Sequence, residues 1–323
     1  MTDGPGFERR HPVIDLNDKD LTARLAGIVS ADQIATAGLL SGGRVNSNYL
    51  LKDASGAPHA VLRLYARGRN VAGLERDILR RLASTVPVPQ ILHDGTDGAP
   101  AFLLLSWVPG ETLEAALQSG GPAESLGRAT ATALAPIHAT LQFPAMGLLG
   151  PGLEITTAFP GGSESFLGFI KRALAGRMPD RLGPDLTKRF TDFVEAAAPL
   201  LDQRPKTACL VHSDFNPPNL RVSGGDAPEV TGVLDWEFAH AGDPLTDLAN
   251  MLRPRDHQPE AFNQAFVETY QDAAGPLPDN WLSVARLLDL VSQVNFLGGP
   301  ESRPMIIRWA KAQIIHTMDY VER

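Results

Sequence analysis

The sequence is poor in cysteine, in long apolar runs and in positive charge, and each shortage excludes a class of protein. The single cysteine, Cys209, cannot form an internal disulfide or supply a cysteine-rich metal site. Its apolar surroundings predict a buried, unreactive thiol. The best candidate for a long apolar stretch, residues 101–108, has the length of a strand and falls far short of the roughly 20 residues of a membrane-spanning helix.

The charge balance bears on the partners of the protein. Lys and Arg number 29 against 37 for Asp and Glu, which gives a net charge of −8 and a pI near 5.5. Binding to nucleic acid or to an anionic membrane requires an excess of cations, so we expect neither partner. Residues 1–15 are charged and have no apolar core; we therefore expect no secretory signal and a cytoplasmic location.

Length and residue patterns predict two unequal parts. The 323 residues, 43% of them hydrophobic, suffice for about two domains of roughly 150 residues. Short apolar runs separated by turn residues predict strands, and helical spacing predicts one helix among them. After residue 110 the pattern is mostly helical, except for a β-rich stretch at 206–235. The predicted strands are 33–40, 45–52, 60–65, 90–94 and 101–107, and the predicted helices nearest them are 20–29 and 71–83.

The segment 210–220 (LVHSDFNPPNL) carries the most chemistry. Asp214 and Asn219 are five residues apart, the spacing of the base and the metal-binding Asn in a protein kinase catalytic loop. Asp235 ends an apolar run sixteen residues later and is followed by Glu237. Phosphoryl transfer needs a carboxylate that accepts the hydroxyl proton, and a carboxylate with an amide oxygen to hold Mg²⁺. Each residue alone fits a turn equally well, but their order and spacing favour a kinase.

The motifs in residues 210–249 (LVHSDFNPPNLRV…GVLDWEFAHAGDPLTDLA) resemble those of the aminoglycoside phosphotransferase and choline kinase-like family. The resemblance extends over nearly the whole chain and implies an α+β, protein-kinase-like bilobal fold. Such a fold has a small antiparallel β-sheet lobe with one helix, and a larger, mainly helical lobe. On this basis we expect a tail at 1–18, a nucleotide-binding lobe at 19–108, and a helical lobe with the acceptor site at 109–323.

The resemblance also implies roles for the residues of the helical lobe. Asp214 corresponds to the catalytic base, and Asn219 and Asp235 to ligands of Mg²⁺. Glu237 assists a second metal or the substrate. His212 braces the loop, and we interpret Asp247 as a loop-anchoring carboxylate.

In the small lobe, the resemblance assigns residues to the nucleotide. Residues 41–48 (SGGRVNSN) resemble the loop that covers the phosphates, so Gly42, Gly43 and Ser47 are expected to bind them. Arg63 occupies the position where protein kinases and many relatives have Lys, and its planar guanidinium is a competent phosphate ligand. Glu75 is its expected partner. In the predicted hinge, Ser106 and Val108 are expected to meet the nucleobase.

Together these observations predict an enzyme that uses ATP (or GTP) and Mg²⁺ to phosphorylate a hydroxyl of a small molecule, such as an aminoglycoside, choline or an amino sugar. A nucleotide-binding pseudokinase and a metal-dependent hydrolase remain as alternatives. Four acidic residues of the helical lobe are candidates for receiving an amine on the acceptor, although solvated helix faces explain them as well: Glu268, Asp272, Asp279 and Asp289.

Overall fold

A computed structural model provides the three-dimensional structure. It describes residues 8–16, 21, 24–29, 36–40, 45–204, 208–300 and 303–322. Residues 20, 22 and 23 of the helix predicted at 20–29, the start of the strand predicted at 33–40, and the loop residues Gly42 and Gly43 lie outside these ranges.

A five-stranded antiparallel sheet with one helix forms the small lobe, as predicted. The strands follow the order β1-β2-β3-β5-β4, and helix α1 connects β3 to β4. Their bounds are β1 Thr36–Leu39, β2 Ser47–Lys52, β3 Pro58–Leu64, α1 Arg69–Leu82, β4 Ile91–Gly95 and β5 Phe102–Ser106.

Strand β5 is apolar throughout because both of its faces are buried. Successive side chains in a strand point to opposite faces. Leu103 and Leu105 therefore pack in the main core with helix α1, whereas Phe102 and Leu104 pack in a smaller core on the other side of the sheet. The same alternation in β3 places Arg63 on the side of the sheet that faces α1.

The remainder of the chain is mainly helical. Its helices are α2 Leu113–Gln118, α3 Ala123–Thr140, α4 Gly162–Leu174, α5 Met178–Leu182, α6 Pro184–Ala197, α7 Leu245–Met251, α8 Glu260–Ala274, α9 Trp281–Gly298 and α10 Pro304–Val321. Helix α8 packs along α3, and α9 packs against α7 and α10. Among the described residues, no helix is both long and apolar enough to cross a membrane.

Two further sheets lie in this region, and sequence patterns predicted only part of them. A three-stranded sheet has the order β12-β11-β6, and a five-stranded sheet has the order β7-β10-β13-β8-β9. The strands in chain order are β6 Glu111–Thr112, β7 Gln142–Phe143, β8 Gly147–Leu149, β9 Ile155–Ala158, β10 Ala208–Val211, β11 Leu220–Val222, β12 Val230–Val233 and β13 His240–Gly242. Strands β10, β11 and β12 lie in the stretch 206–235 that was predicted to be β-rich. The other five lie where the pattern was mostly helical, and strands of two to four residues are too short to show alternation.

Residues 8–16, predicted as a tail, are bonded to the small lobe. The N–H of Ile14 donates to Oγ of Ser47 (2.9 Å), and the N–H of Leu16 donates to the hydroxyl oxygen of Tyr49 (3.1 Å). Tyr49 donates in turn to the carbonyl of Ile14 (3.0 Å). The segment therefore packs along β2.

Candidate active site

The β11–β12 hairpin brings Asn219 and Asp235 together. Leu220 pairs with Val233 across the hairpin, and the N–H of Leu234 donates to the carbonyl of Asn219 (2.9 Å). Asn219 therefore precedes one strand at the end of the hairpin where Asp235 follows the other. The hairpin thus brings Asn219 and Asp235, sixteen residues apart in the sequence, close together in space.

Asp214 lies against the same two elements. Nδ2 of Asn219 donates both to Oδ2 of Asp214 (2.8 Å) and to its carbonyl (2.9 Å), and Nδ2 of Asn216 donates to Oδ1. Burial raises the pKa of Asp214 above its ordinary value, and the nearby charge of Asp235 adds to this effect, whereas Arg253 acts in the opposite direction. The structure thus brings Asp214, Asn219 and Asp235 into one cluster.

Asp247 anchors the loop that carries Asp214. Its carboxylate, fully buried on helix α7, accepts hydrogen bonds from the N–H groups of His212 and Ser213 (2.7 Å each) and from Nε2 of His138 (3.1 Å). Burial alone would raise the pKa of Asp247, but these donors outweigh it, with His138 first among them, and the pKa is lowered. The interpretation of Asp247 as a loop anchor is confirmed.

His212 braces the loop from inside. Its Nδ1 accepts from the N–H of Asp214 (3.2 Å), and its Nε2 donates to the carbonyl of Leu234 (2.9 Å). The ring also lies against Trp236, with 4.5 Å between ring centroids. Both ring nitrogens are therefore occupied, and neither is free to bind a metal ion.

Two residues of the cluster adopt left-handed backbone conformations. Ser213 has a φ of 66° and Asp235 a φ of 69°. A residue other than glycine is uncommon in this region and persists where its surroundings impose it. For Ser213, the bond from its N–H to Asp247 supplies that constraint.

Arg63 links the two lobes. From β3 its Nε donates to Oε2 of Glu75 on α1 (3.0 Å), and its Nη2 bonds to Oδ1 of Asp235. Arg63 and Glu75 are almost completely buried. Burial raises the pKa of Glu75 although Arg63 opposes the shift. The predicted pairing of Arg63 with Glu75 is therefore present in the structure, and Asp235 extends it across the cleft.

Glu237 is a buried carboxylate beside this network. Its nearest cation is Arg67, with 3.9 Å between Nη1 and Oε2, and Oε2 has no hydrogen-bond partner. Burial, together with the negative charge of Asp235, raises the pKa of Glu237 to about 8. A buried carboxylate oxygen without a donor fits a position that a cation completes.

The donor set suits Mg²⁺ better than a transition metal. No group of three or more His, Cys, Asp or Glu side chains converges as a metal site within the ranges that the structure describes. Mg²⁺ is usually held in proteins by one or two carboxylates together with substrate phosphates and water. Asp235 and Glu237 supply carboxylate oxygens, and Asn219 retains Oδ1 because its Nδ2 is bound to Asp214.

The chain between the lobes, residues 107–110, packs on the β11–β12 hairpin. Thr231 donates to the carbonyl of Pro109 (2.7 Å), and Arg221 donates to that of Gly110. Gly110 has a φ of 98°, and a Cβ there would lie 2.2 Å from the carbonyl oxygen of Val222. Only glycine fits this close approach.

The two predicted hinge residues, Ser106 and Val108, differ in their bonding. Ser106 is fixed at both its N–H and its hydroxyl by the backbone of Gln90 (2.8 and 2.9 Å). Val108 is nearly buried, and its N–H and C=O make no hydrogen bond within the described residues. Val108 therefore has backbone groups available to a ligand, whereas the N–H of Ser106 is occupied.

The small-lobe loop is described only in part. Gly42 and Gly43 lie outside the described residues. Ser47 is fully buried and its Oγ accepts from the N–H of Ile14, so the structure does not bring this hydroxyl into the cluster. Ser47 shares its face of β2 with the buried residues Tyr49 and Leu51.

Sequence reasoning missed two cations near the cluster. Arg67 approaches Glu237 from the small lobe, and Arg253, just beyond helix α7, acts on Asp214 through its charge. Arg67 is four residues from Arg63, a signal that could have suggested a second cation at the cleft. For Arg253 the sequence offers no local signal, because its partner Asp289 is 36 residues away.

Comparison with known proteins identifies the family. The model of the phosphotransferase enzyme family matches residues 36–287. Viomycin phosphotransferase of Streptomyces vinaceus is 32% identical over 187 residues, which cover 54% of this chain and 59% of that protein. A probable acyl-CoA dehydrogenase of Arabidopsis thaliana, IBR3, is 27% identical over 243 residues, which cover 68% of this chain and 29% of that protein. The chain thus spans less than two thirds of either relative.

Solved structures share the fold. The aminoglycoside phosphotransferase APH(4)-Ia, as a thermostable mutant in ternary complex with ADP and hygromycin B, has a TM-score of 0.68 at 19% identity, over 94% of this chain and 97% of that one. The complex of APH(2")-IIia with GDP and kanamycin also has a TM-score of 0.68, at 18% identity, over 94% and 98% of the two chains. The predicted protein-kinase-like bilobal fold is confirmed.

Proposed function

Because the chain belongs to the phosphotransferase enzyme family, we propose that it transfers the γ-phosphate of ATP or GTP to a hydroxyl group of a small molecule. The proposal rests above all on one observation. Asp214, Asn219 and Asp235 meet at the end of the β11–β12 hairpin, facing Arg63 of the other lobe.

Asp214 is the proposed base. It orients the acceptor hydroxyl and takes its proton as the oxygen forms a bond to the γ-phosphorus. The bond between that phosphorus and the bridging oxygen breaks, and the nucleoside diphosphate leaves. The transition state of such a transfer is loose, so positioning and charge contribute more than covalent chemistry. Asn219, bonded to both the side chain and the main chain of Asp214, fixes the position of the base.

Asp235, Asn219 and Glu237 are the proposed holders of Mg²⁺. When bound there, Mg²⁺ would neutralise charge on the phosphates. Glu237 has an unpartnered buried oxygen for this task. The raised pKa of Glu237 means that its carboxyl group must release a proton at neutral pH before it binds a cation.

The small lobe is proposed to bind the nucleotide. Arg63, held by Glu75, would contact the phosphates once a nucleotide separates it from Asp235. The free backbone groups of Val108 support a contact with the nucleobase, next to Ser106. Gly42, Gly43 and Ser47 are proposed to cover the phosphates through backbone N–H groups, because the hydroxyl of Ser47 is engaged elsewhere. We propose that the nucleotide-binding lobe spans residues 19–108, after an N-terminal segment at 1–18, and that the helical lobe begins at residue 109.

The two alternatives are less well supported. A pseudokinase would be expected to have lost a residue of the catalytic set, and here the set is intact. A metal-dependent hydrolase built on His212 would need a free ring nitrogen, and both are occupied. The relatives named for viomycin, and those bound to hygromycin B and kanamycin, support a hydroxyl-bearing small molecule as the acceptor.

The proposal is tested by separating transfer from binding. Purified protein is incubated with γ-labelled ATP or GTP, Mg²⁺ and a panel of hydroxyl compounds that includes viomycin, choline and aminoglycosides. We expect labelled product from the wild type. Asp214→Ala is expected to abolish transfer and leave nucleotide binding nearly intact, whereas Asp235→Ala weakens Mg-nucleotide binding itself. The exposed Asp226→Asn variant is the matched control. Equal behaviour of the first two variants would contradict the assigned roles.

A further inference from the structure

The acidic residues considered above for an amine on the acceptor are either exposed to solvent or already paired. Glu268 and Asp272 are exposed on helix α8, and Asp279 is exposed before helix α9. Asp289 is nearly buried on helix α9, but its carboxylate is already paired with Arg253. None of the four is therefore both buried and unpaired.

Arg253 is held rigidly by that pair. Its Nε lies 3.0 and 2.9 Å from the two carboxylate oxygens of Asp289, and its Nη2 lies 2.6 Å from Oδ1. Gln293 donates to Oδ2 of Asp289 (2.8 Å), and the guanidinium lies over the ring of Trp309 at 5.6 Å. One edge of the guanidinium is thus saturated. Its Nη1 has no hydrogen-bond partner within the described part of the chain.

The position of Arg253 follows from the anchoring of helix α7. That helix carries Asp247, which holds the catalytic loop at His212 and Ser213, and Arg253 lies just beyond its end. Among the interactions that oppose the raised pKa of Asp214, the charge of Arg253 is the largest. The positive charge of Arg253 therefore acts on the carboxylate proposed as the base.

A second cation reinforces the positive charge. Arg255 donates to the carbonyls of Met251 (3.0 Å) and Asn250 (3.2 Å) at the end of helix α7. Burial and the neighbouring Arg253 lower the pKa of Arg255 to about 10, so it stays charged at neutral pH. Asp289 neutralises one of the two arginine charges by pairing with Arg253. The charge of Arg255 therefore leaves this region with a net positive charge.

From this arrangement we infer that the acceptor carries an oxyanion, a carboxylate or a phosphate, near the hydroxyl that is phosphorylated, and that Nη1 of Arg253 binds it. The inference rests on the proposed function and specifies its substrate class. Arginine is suited to the task because a guanidinium forms short, charge-assisted bonds to carboxylate and phosphate oxygens. A cationic amine at the same place would meet two arginines.

Matched acceptors test the inference. Each set has one chain length and one reacting hydroxyl, and its members end in a carboxylate, a phosphate, a second hydroxyl or an amine. Transfer of labelled γ-phosphate is measured for each compound, alongside hydrolysis of the nucleotide by water. Binding of each compound to protein loaded with Mg²⁺ and a non-hydrolysable nucleotide is measured by calorimetry. We expect kcat/KM for the anionic members to exceed that of the diol by about tenfold or more, and the amine to be poorest. The carboxylate and phosphate members show which oxyanion is preferred.

Variants of Arg253 assign the preference to this residue. Arg253→Gln is expected to remove the preference for anionic acceptors, and Arg253→Lys to restore part of it. Arg308→Gln, an exposed arginine next to Trp309, is the control. If Arg253→Gln does not fold, the wild-type panel decides alone. A preference for the amine, or binding of anions no tighter than of diols, overturns the inference. If the wild type neither turns over nor binds the Mg-nucleotide, the proposed function itself is contradicted.

Discussion

Replacement of Asp247 by asparagine tests how strongly this carboxylate anchors the loop that carries Asp214. The carboxylate accepts three hydrogen bonds, two at Oδ2 from His212 and His138 and one at Oδ1 from Ser213. An asparagine keeps one acceptor oxygen and turns its NH₂ group toward the third donor. A buried N–H left without a partner costs about 1–3 kcal/mol, and the loss of charge weakens the remaining bonds. We therefore expect a loss of roughly 3–5 kcal/mol in the free energy of unfolding of Asp247→Asn.

Two assays measure the consequence. At about 2 °C per kcal/mol for a chain of this size, the melting temperature falls by roughly 6–10 °C. Displacement of Asp214 by about 1 Å lowers kcat on the order of a hundredfold. The folded-state pKa of Asp247 is lowered, so its stabilisation is present above the unfolded pKa of 3.8 and is lost as the pH falls below it. The difference from wild type should shrink only in that acidic range. Unchanged melting and unchanged kcat, with Asp226→Asn as the control, would refute this role of Asp247.

Three further variants probe the rest of the site. Arg63→Met leaves Glu75 buried without its cation and should lower the free energy of unfolding in urea by about 3–5 kcal/mol. The double variant with Glu75→Leu should recover most of this loss. A double variant as unstable as the single one would contradict the pairing. The pKa of Glu237 is about 8 in the folded protein, against an ordinary value of 4.5. Between these two pH values the folded state therefore holds a proton that the unfolded state has released, and the free energy of unfolding of the wild type falls as the pH rises, at up to about 1.4 kcal/mol per pH unit. Glu237→Gln should flatten that dependence in denaturation experiments, and an identical slope would exclude Glu237 as its source. Ser213→Gly should raise stability by about 0.5–1 kcal/mol because it relieves a left-handed conformation, whereas Ser213→Ala should bring no gain in the same assay.

The candidate site could be predicted from the sequence where its residues are close along the chain. Asp214 and Asn219 lie on one loop, and their spacing of five residues is a local property. Asp235 could be added because a single hairpin separates it from Asn219. The pairing of Arg63 with Glu75 followed from the resemblance to the family, which implies a cation on the third strand and its partner on the following helix.

Other parts depended on contacts between distant segments. Strands β8 and β9 contain three and four residues, too few for a periodic pattern, and they exist because neighbouring strands supply hydrogen bonds. The ion pair between Arg253 and Asp289 joins the end of helix α7 to helix α9, and no local sequence pattern predicts it. Ser47 resembles a residue of a phosphate-binding loop, yet its register in β2 turns it to the same buried face as Tyr49.

The central claim is that Asp214, Asn219 and Asp235 converge on a metal-bound nucleotide. Crystals grown with Mn²⁺ and a non-hydrolysable ATP or GTP analogue would locate the metal by its anomalous scattering. The account predicts a metal peak at a bonding distance of about 2.0–2.3 Å from Oδ atoms of Asp235 and Asn219, with the terminal phosphate facing Asp214. A metal and nucleotide bound elsewhere on the protein, with these three side chains unligated, would contradict it.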